Sequence, residues 1–264
     1  MLSQAAPMMP RFARHELIRV TGVLLIAFIA CKPAPPPAKP PAPAPRVPQT
    51  RATVVTIQTT IQPGNRTTAH TLVIGAGRAR SGDELDSWRL FDLANDRVTF
   101  VNDVARTYRT VSNEQLVKDR RGALDDPLPA DLPRAQIAAT NATKTLQGVP
   151  AAESVVKLGG YTHELWIGQH PLIPPRLYAM IVASEPPSSP LVPVMKNVDE
   201  ALMKVSGFPL AEHSELVFGN KKMTVDKQVV KIEQRDVPQW WLNVRGDYKD
   251  VSVKAPASHP PPAS

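Results

Sequence analysis

Short segments of alternating apolar and polar residues, separated by turn residues, run through most of the chain between residues 50 and 253. In the first segment, VTIQTTI at residues 55–61, every second residue is apolar or Thr, which gives one apolar and one polar face. Pro63-Gly64-Asn65 then supplies a turn before a second segment through Leu72 and Ile74. This alternation between turns predicts antiparallel strands joined by hairpins, and it limits the possible folds more than other features of the sequence.

The same pattern predicts strands over most of the remaining folded region. Gly159-Gly160 and Gly219-Asn220 each stand between two such segments, as the central residues of tight hairpin turns do. The further predicted strands are residues 87–93, 97–101, 105–111, 143–147, 151–158, 161–168, 212–218 and 221–234.

Three segments favour helices. Asn113–Arg121 is one, with Ser112 or Asn113 as its cap. A second helix is predicted over Arg176–Ser184, directly after two prolines, although a strand over the same residues is an alternative. The third has apolar residues at helical spacing between 194 and 205, and Gly207 supplies its stop. The fold class is therefore α+β, mainly β, with a curved antiparallel sheet closed by helices on one face.

Proline marks the limits of the folded domain. Most of the excess among the 29 prolines lies in residues 32–48 and in the last ten residues. Residues 31–49 are accordingly predicted to form a spacer, whose eighteen residues after Cys31 reach about 55 Å as an extended polyproline helix. One domain is expected over residues 50–253, followed by a disordered proline-rich tail at 254–264.

The first thirty residues have the organisation of a secretory signal peptide. A region that contains Arg11, Arg14 and Arg19 precedes the apolar run Val20–Ala30. This run has eleven residues, whereas a membrane-spanning helix needs about 20. Its end, FIAC, resembles the bacterial lipobox, in which a small residue, here Ala30, precedes cleavage and the following cysteine, here Cys31, is lipidated.

Cys31 is the only cysteine of the chain, which excludes an intramolecular disulfide and any multi-cysteine metal site. Acyl chains on Cys31 would anchor the protein stably in a membrane, facing the periplasm. Lys32 follows the cysteine, and by resemblance to enterobacterial sorting it is not an inner-membrane retention signal, so the outer membrane is favoured over the inner one. An N-terminal membrane anchor with an ordinary cysteine is the alternative.

The sequence lacks the common motifs for catalysis, cofactors and metals. Gly75-Ala76-Gly77 lacks the third glycine of a dinucleotide fingerprint, and neither G-x-S-x-G nor H-E-x-x-H occurs. His163 and His170 have no acidic or cysteine partner at ligand spacing in the sequence. The net charge is +7, but the basic residues form no cluster interleaved with aromatic residues, as a nucleic-acid-binding surface would have. We therefore expect no enzyme activity, no cofactor, no metal site and no nucleic-acid partner.

Trp240-Trp241 is an unusual pair of neighbouring aromatic residues. Such a pair can pack one end of the domain as an aromatic plug. Alternatively, it can face a ligand or touch a membrane.

From residue 51 onward, a series of landmarks resembles an uncharacterised family of secreted bacterial lipoprotein domains. These landmarks are ATVVTIQTTI, FDLANDRVTFVNDVARTY, ATKTLQGVPAAESVV, HELWIG, GFPLAEHSELV and KQVVKIEQRDVPQWWLNVRGDYKDV. The architecture of that family is similar to the LolA/LolB and mycobacterial lipoprotein carriers. The resemblance implies a curved antiparallel sheet that forms an incomplete barrel, capped by helices on its concave face.

Carriers of this kind hold acyl chains between sheet and helices, so the resemblance implies binding of a lipid or another apolar ligand. Inward apolar residues would line such a cavity, and the candidates are Trp88, Leu90, Phe100, Leu165, Ile181 and Val198. The alternative is a structural or interaction lipoprotein with a filled core that acts in envelope assembly. The sequence identifies no partner protein.

Overall fold

The first and last long strands of the domain pair with each other at the middle of one twelve-stranded sheet. The structure is a computed structural model that describes residues 47–82, 86–122, 135–185 and 198–252. The strands are β1 Gln49–Gln62, β2 Arg66–Gly75, β3 Arg78–Ser81, β4 Ser87–Asp92, β5 Arg97–Asn102, β6 Thr107–Ser112, β7 Gln136–Leu146, β8 Val149–Leu158, β9 Tyr161–Gly168, β10 Phe208–Phe218, β11 Lys221–Pro238 and β12 Lys249–Asp250.

The sheet consists of two meanders joined through β1 and β11. Its strand order is β12-β6-β5-β4-β3-β2-β1-β11-β10-β9-β8-β7. Each neighbouring pair is antiparallel except β12 and β6, which run parallel. The sheet is open, since β7 and the two-residue β12 stand at its edges. The prediction of a mainly β, α+β domain built on an antiparallel sheet is confirmed.

Alternation along β1 gives the sheet two apolar faces. Val55 and Ile57 are buried in the main core, whereas Ala52 and Val54 are buried in a second cluster on the other face. The register of β1 against β11 shifts between Thr56 and Ile57, as at a β-bulge. Because successive side chains of a strand point to opposite faces, both sides of this strand need a cover.

Helices and their connections cover one face, which we call the inner face. α1 spans Asn113–Gly122, α2 spans Leu177–Ser184, and residues 198–202 are also helical. Ser112 is the cap of α1, since its hydroxyl accepts a hydrogen bond from the Gln115 N–H at 3.1 Å. For the segment after the two prolines, the structure contains the helix rather than the alternative strand.

The opposite, outer face is covered by residues 239–252, which we call the C-terminal strap. It begins with a 3-10 helix, Gln239–Leu242, whose Leu242 packs on Ala52 and Val73. Farther along, Tyr248 packs against Trp88, and both side chains donate hydrogen bonds to the Asp103 carboxylate. The strap thus runs from the centre of the sheet to its β6 edge, where β12 pairs.

Several sequence predictions concern residues outside the described ranges. They are the signal peptide 1–30 with Ala30, the lipidation site Cys31, the spacer up to residue 46 and the tail 254–264. Within the described ranges, no helix is long and apolar enough to cross a membrane.

The turn at Gly207 gives a test of the fold. Gly207 has φ +116°, and a Cβ there would lie 2.8 Å from Ile167 Cγ2 and 3.0 Å from the Gly168 carbonyl oxygen. We predict that Gly207→Ala lowers the free energy of unfolding by about 3 kcal/mol, because crowding adds to backbone strain. Urea denaturation measures this loss.

Gly77→Ala is the matched control. Gly77 also has a positive φ, +73°, but a Cβ there would meet no atom of the described residues within 4 Å. It should cost about 1 kcal/mol, the cost of the left-handed conformation alone. Equal losses in the two variants would contradict the crowding at Gly207.

Candidate functional site

The short helix α2 is apolar on nearly every side. Its sequence is LYAMIVAS, and Leu177, Met180, Val182 and Ala183 are all buried. A helix that is apolar all round must be covered on all sides. Here the inner face of the sheet lies on one side of α2, and α1 also contacts it. α2 therefore covers part of the apolar inner face of the sheet and is itself covered by that face.

Polar contacts at both ends of α2 connect it to β4 and to the turn after it. Arg176, just before the helix, forms a 2.6 Å ion pair with Asp96 in the β4–β5 turn. At the other end, the Arg89 guanidinium donates a 3.1 Å hydrogen bond to the Ser184 hydroxyl. The ion pair is largely exposed, so it contributes at most about 1 kcal/mol.

The six residues predicted to line a cavity fall into two groups. Leu165 and Val198 are fully buried in the main core, and Phe100 and Ile181 pack against it while partly exposed. Trp88 and Leu90 belong instead to a separate cluster on the outer face, under the C-terminal strap. The structure thus brings four candidates together and separates two.

Beside this apolar interior, three charged or polar side chains lie across neighbouring strands. We call His163, Glu212 and Lys227, on β9, β10 and β11, the polar row. Glu212 Oε2 lies 3.0 Å from His163 Nε2 and 3.9 Å from Lys227 Nζ. The strand register places Glu212 opposite both Leu165 and Lys227, so the row shares the inner face with the apolar core.

Burial and charge oppose each other at Glu212, whose side chain is only 10 % exposed. Burial alone would raise the pKa of Glu212, but the Lys227 ammonium and the hydrogen bond from His163 outweigh it and lower the pKa. In return, the Glu212 carboxylate raises the pKa of Lys227 against the opposing effect of burial. The two groups therefore stay charged together.

Other polar groups surround the row. His163 is 4 % exposed, and a hydrogen bond satisfies its Nε2. Its Nδ1 has no hydrogen-bond partner among the residues that the structure describes. Burial raises the pKa of Tyr161, which stacks edge-on against His163 with ring centroids 6.1 Å apart. Burial also raises the pKa of Tyr178 on α2 well above its ordinary value, and the Glu212 charge adds to that effect. The charge of Glu212 in the polar row thus acts on a side chain of α2.

A separate open pocket of about 370 Å³ lies in the loop between β9 and α2. It is lined by residues 169–175, of which His170 is the ionisable one. Burial lowers the pKa of His170, and its Nδ1 accepts a hydrogen bond from the Leu172 N–H. Within the described ranges, no group of three His, Cys, Asp or Glu residues could hold a metal ion.

The polar row combines an acid and a base that are nearly buried with a cation, Lys227, whose side chain is 40 % exposed. Such a row is suited to holding a polar group next to an apolar chain. Sequence reasoning missed it. His163 and Glu212 are 49 residues apart, and only the pairing of β9 with β10 brings them together. Nothing in the linear spacing signals such a pair.

Comparisons with known proteins found neither a matching family model nor a matching curated protein. Among solved structures, the chain is similar to PNGF-II in two crystal forms, with TM-scores of 0.41 and 0.40 at 10 % and 9 % identity. These matches cover 77 % and 78 % of this chain, but the chain spans only 31 % and 32 % of PNGF-II.

A LolA superfamily protein from Nitrosomonas europaea is also similar. Its TM-score is 0.25 at 9 % identity, over 71 % of this chain and 87 % of that protein. Likenesses of this size carry no inference about function.

The charge on Glu212 gives a test by pH. Because folding lowers its pKa below the ordinary 4.5, its contribution is complete above that pH and is lost as the pH falls through the folded value. We predict that Glu212→Gln lowers the free energy of unfolding by about 1.5–3 kcal/mol at neutral pH. This deficit should shrink in acid, as urea denaturation across a pH series would measure.

Glu215→Gln is the control on the same strand. Glu215 faces the other side of the sheet and pairs with Lys222 at 2.7 Å, where both side chains are substantially exposed. Its loss should cost at most about 1 kcal/mol. A Glu212→Gln deficit that is no larger than this, or that persists unchanged in acid, would contradict the account of the polar row.

Proposed function

We propose that this protein is a membrane-anchored lipoprotein of the bacterial cell envelope whose LolA-like domain binds or carries a lipid or another apolar ligand. The ligand lies between the inner face of the sheet and α2, with its polar end at the polar row. The observation that carries the proposal is an apolar helix beside a partly buried ionic row on one face of an open sheet.

The sheet of the proposed carrier curves around α2 as an incomplete barrel with helices on its concave face. Support comes from the contacts of α2, which reaches both Arg89 on β4 and strand β10. These strands are five positions apart in the sheet, or about 24 Å if it were flat. A helix with its side chains is only about 10–12 Å wide. The eight residues of α2 are also only about 12 Å long, so contact with both strands supports a sheet that bends toward the helix.

An acyl chain is a suitable occupant because the contacts of α2 with the sheet are largely apolar. Hydrophobic contacts are non-directional, so methylene groups can replace the side chains of Leu177 and Met180 against the sheet at little net cost. The polar contacts of α2 through Arg176 and Ser184 lie at its two ends. We propose that the ligand-bound form has α2 displaced from the sheet.

One observation favours the second candidate function, a structural or interaction lipoprotein with a filled core. Leu165, Leu177 and Val198 have no exposed surface and belong to one packed cluster. If α2 never leaves this position, the domain holds no apolar ligand there. It would then contribute to envelope assembly through its surface.

Membrane anchoring is supported by the sequence. The apolar run before Cys31, the lipobox-like FIAC and the proline-rich spacer follow one another directly. Lipidation at Cys31 would place the domain in the periplasm, on the outer membrane in preference to the inner one.

Displacement of α2 can be measured by spin labels. Cys31 is the only cysteine and is acylated in the mature lipoprotein, so Ala94→Cys with Pro175→Cys creates the two labelling sites. Both positions are exposed, one in the β4–β5 turn and one before α2. We predict that a long-chain fatty acid shifts the electron–electron distance distribution to longer distances.

The control pair, Ala94→Cys with Ala105→Cys, joins turns at the two ends of β5 and should not change. A polyene fatty acid whose fluorescence rises in apolar surroundings reports binding in parallel. An unchanged distance between residues 94 and 175, together with no fluorescence rise, would leave the filled-core function and exclude the carrier.

A further inference from the structure

The chain segment that comes from Cys31 enters the domain beside the C-terminal strap. Val47, the first described residue, is 50 % exposed. The Gln239 N–H donates a 2.9 Å hydrogen bond to the Pro48 carbonyl, and Gln49 pairs with Pro238. The end of the domain nearest to the proposed anchor in sequence therefore carries the 3-10 helix that contains Trp240 and Trp241.

The two tryptophans of this helix have different environments. Trp241 packs on the outer-face cluster around Leu242. Trp240 is 38 % exposed and meets Trp241 edge-on, with ring centroids 6.2 Å apart. A tryptophan that packs on a partly buried neighbour and is itself open to solvent has its most favourable surroundings at a membrane interface, where one side is apolar and the other wet.

Arginines stand against this exposed ring. The Arg245 guanidinium carbon lies 4.6 Å from the Trp240 ring centroid, and that of Arg80 lies 5.7 Å from it. Arg245 is itself exposed. A guanidinium next to an exposed indole matches an anionic phospholipid surface, because it binds phosphate through two parallel hydrogen bonds while the ring lies at headgroup depth.

We propose that Val47, Trp240 and Arg245, which we call the anchor-side patch, dock the domain onto anionic phospholipid headgroups. The proposal rests on the membrane anchoring proposed above. The spacer ties the patch to the same bilayer that holds the acyl chains. A tether of that kind gives an effective concentration in about the millimolar range, so a weak contact is enough.

The size of the patch favours a membrane over a protein partner or a second copy of the chain. A stable protein interface buries about 800 Å² on each side, with about 20–30 residues. The anchor-side patch offers one partly exposed tryptophan, one valine and one arginine. A tethered contact with headgroups needs no more.

The mature lipidated protein in vesicles of phosphatidylcholine and phosphatidylglycerol tests the proposal, with brominated acyl chains as tryptophan quenchers. We expect quenching in the wild type and loss of most of it in Trp240→Phe. Trp166→Phe is the matched control, since Trp166 lies on β9 under the Lys144 ammonium and should leave the quenching intact. Equal quenching of both variants, or none in the wild type, overturns the docking.

Charge is tested by Arg245→Glu against Lys221→Glu. Lys221 begins β11, at the opposite end of this 18-residue strand from Trp240. Arg245→Glu should lower the ratio of docked to undocked domain about tenfold or more in anionic vesicles, and Lys221→Glu should not. Equal effects of the two substitutions would show general attraction to the surface and overturn the patch.

Flotation of the same vesicles distinguishes a failure of the proposed membrane anchor from a failure of the proposed docking. If the protein floats but Trp240-dependent quenching is absent, the anchor stands and the docking fails. If the wild type does not float, the anchor fails, and the docking proposal loses its premise with it.

Discussion

The pairing of β1 with β11 is the interaction on which the rest of the structure depends. It joins the meander β1–β6 to the meander β7–β11, and without it the sheet would separate into two halves. The paired residues Val55 and Ile232 are about 180 residues apart in sequence, so the contact forms only at a large cost in chain entropy. Apolar side chains on both faces of β1 offset that cost, because they are buried by α2 on one side and by the strap on the other.

The same strand pair places both functional features proposed for the domain. β11 carries Lys227 of the polar row in its middle, and its end leads into the strap with Trp240. β1 begins where the chain arrives from Cys31. The proposed binding region and the proposed membrane-facing patch thus share one strand pair, and they lie on opposite faces of the sheet. Displacement of α2 on the inner face would leave the patch in place.

Local features of the fold could be predicted from the sequence, whereas long-range ones could not. Gly159-Gly160 and Gly219-Asn220 each fix a hairpin within a few residues, and both turns are present. The alternation along β4 correctly assigns its residues to two faces of the sheet, but it does not tell which face meets the helices. For this reason the sequence predicts that Trp88 lines the cavity, whereas it lies under the strap. His163 and Glu212 meet only because β9 pairs with β10, and the segment between these two strands in sequence includes α2. Such a long-range strand pairing cannot be read from local sequence.

The proposed carrier function requires that the interior accommodate an apolar ligand. The most direct measurement is native mass spectrometry of the mature protein, purified gently from its membrane, followed by extraction and identification of any bound lipid. We expect a mass increment equal to one lipid, retained in Lys221→Glu and reduced in Leu165→Trp, whose larger side chain would take up room needed by a ligand between the sheet and α2. A wild-type protein that carries no lipid beyond its own acyl chains would contradict it.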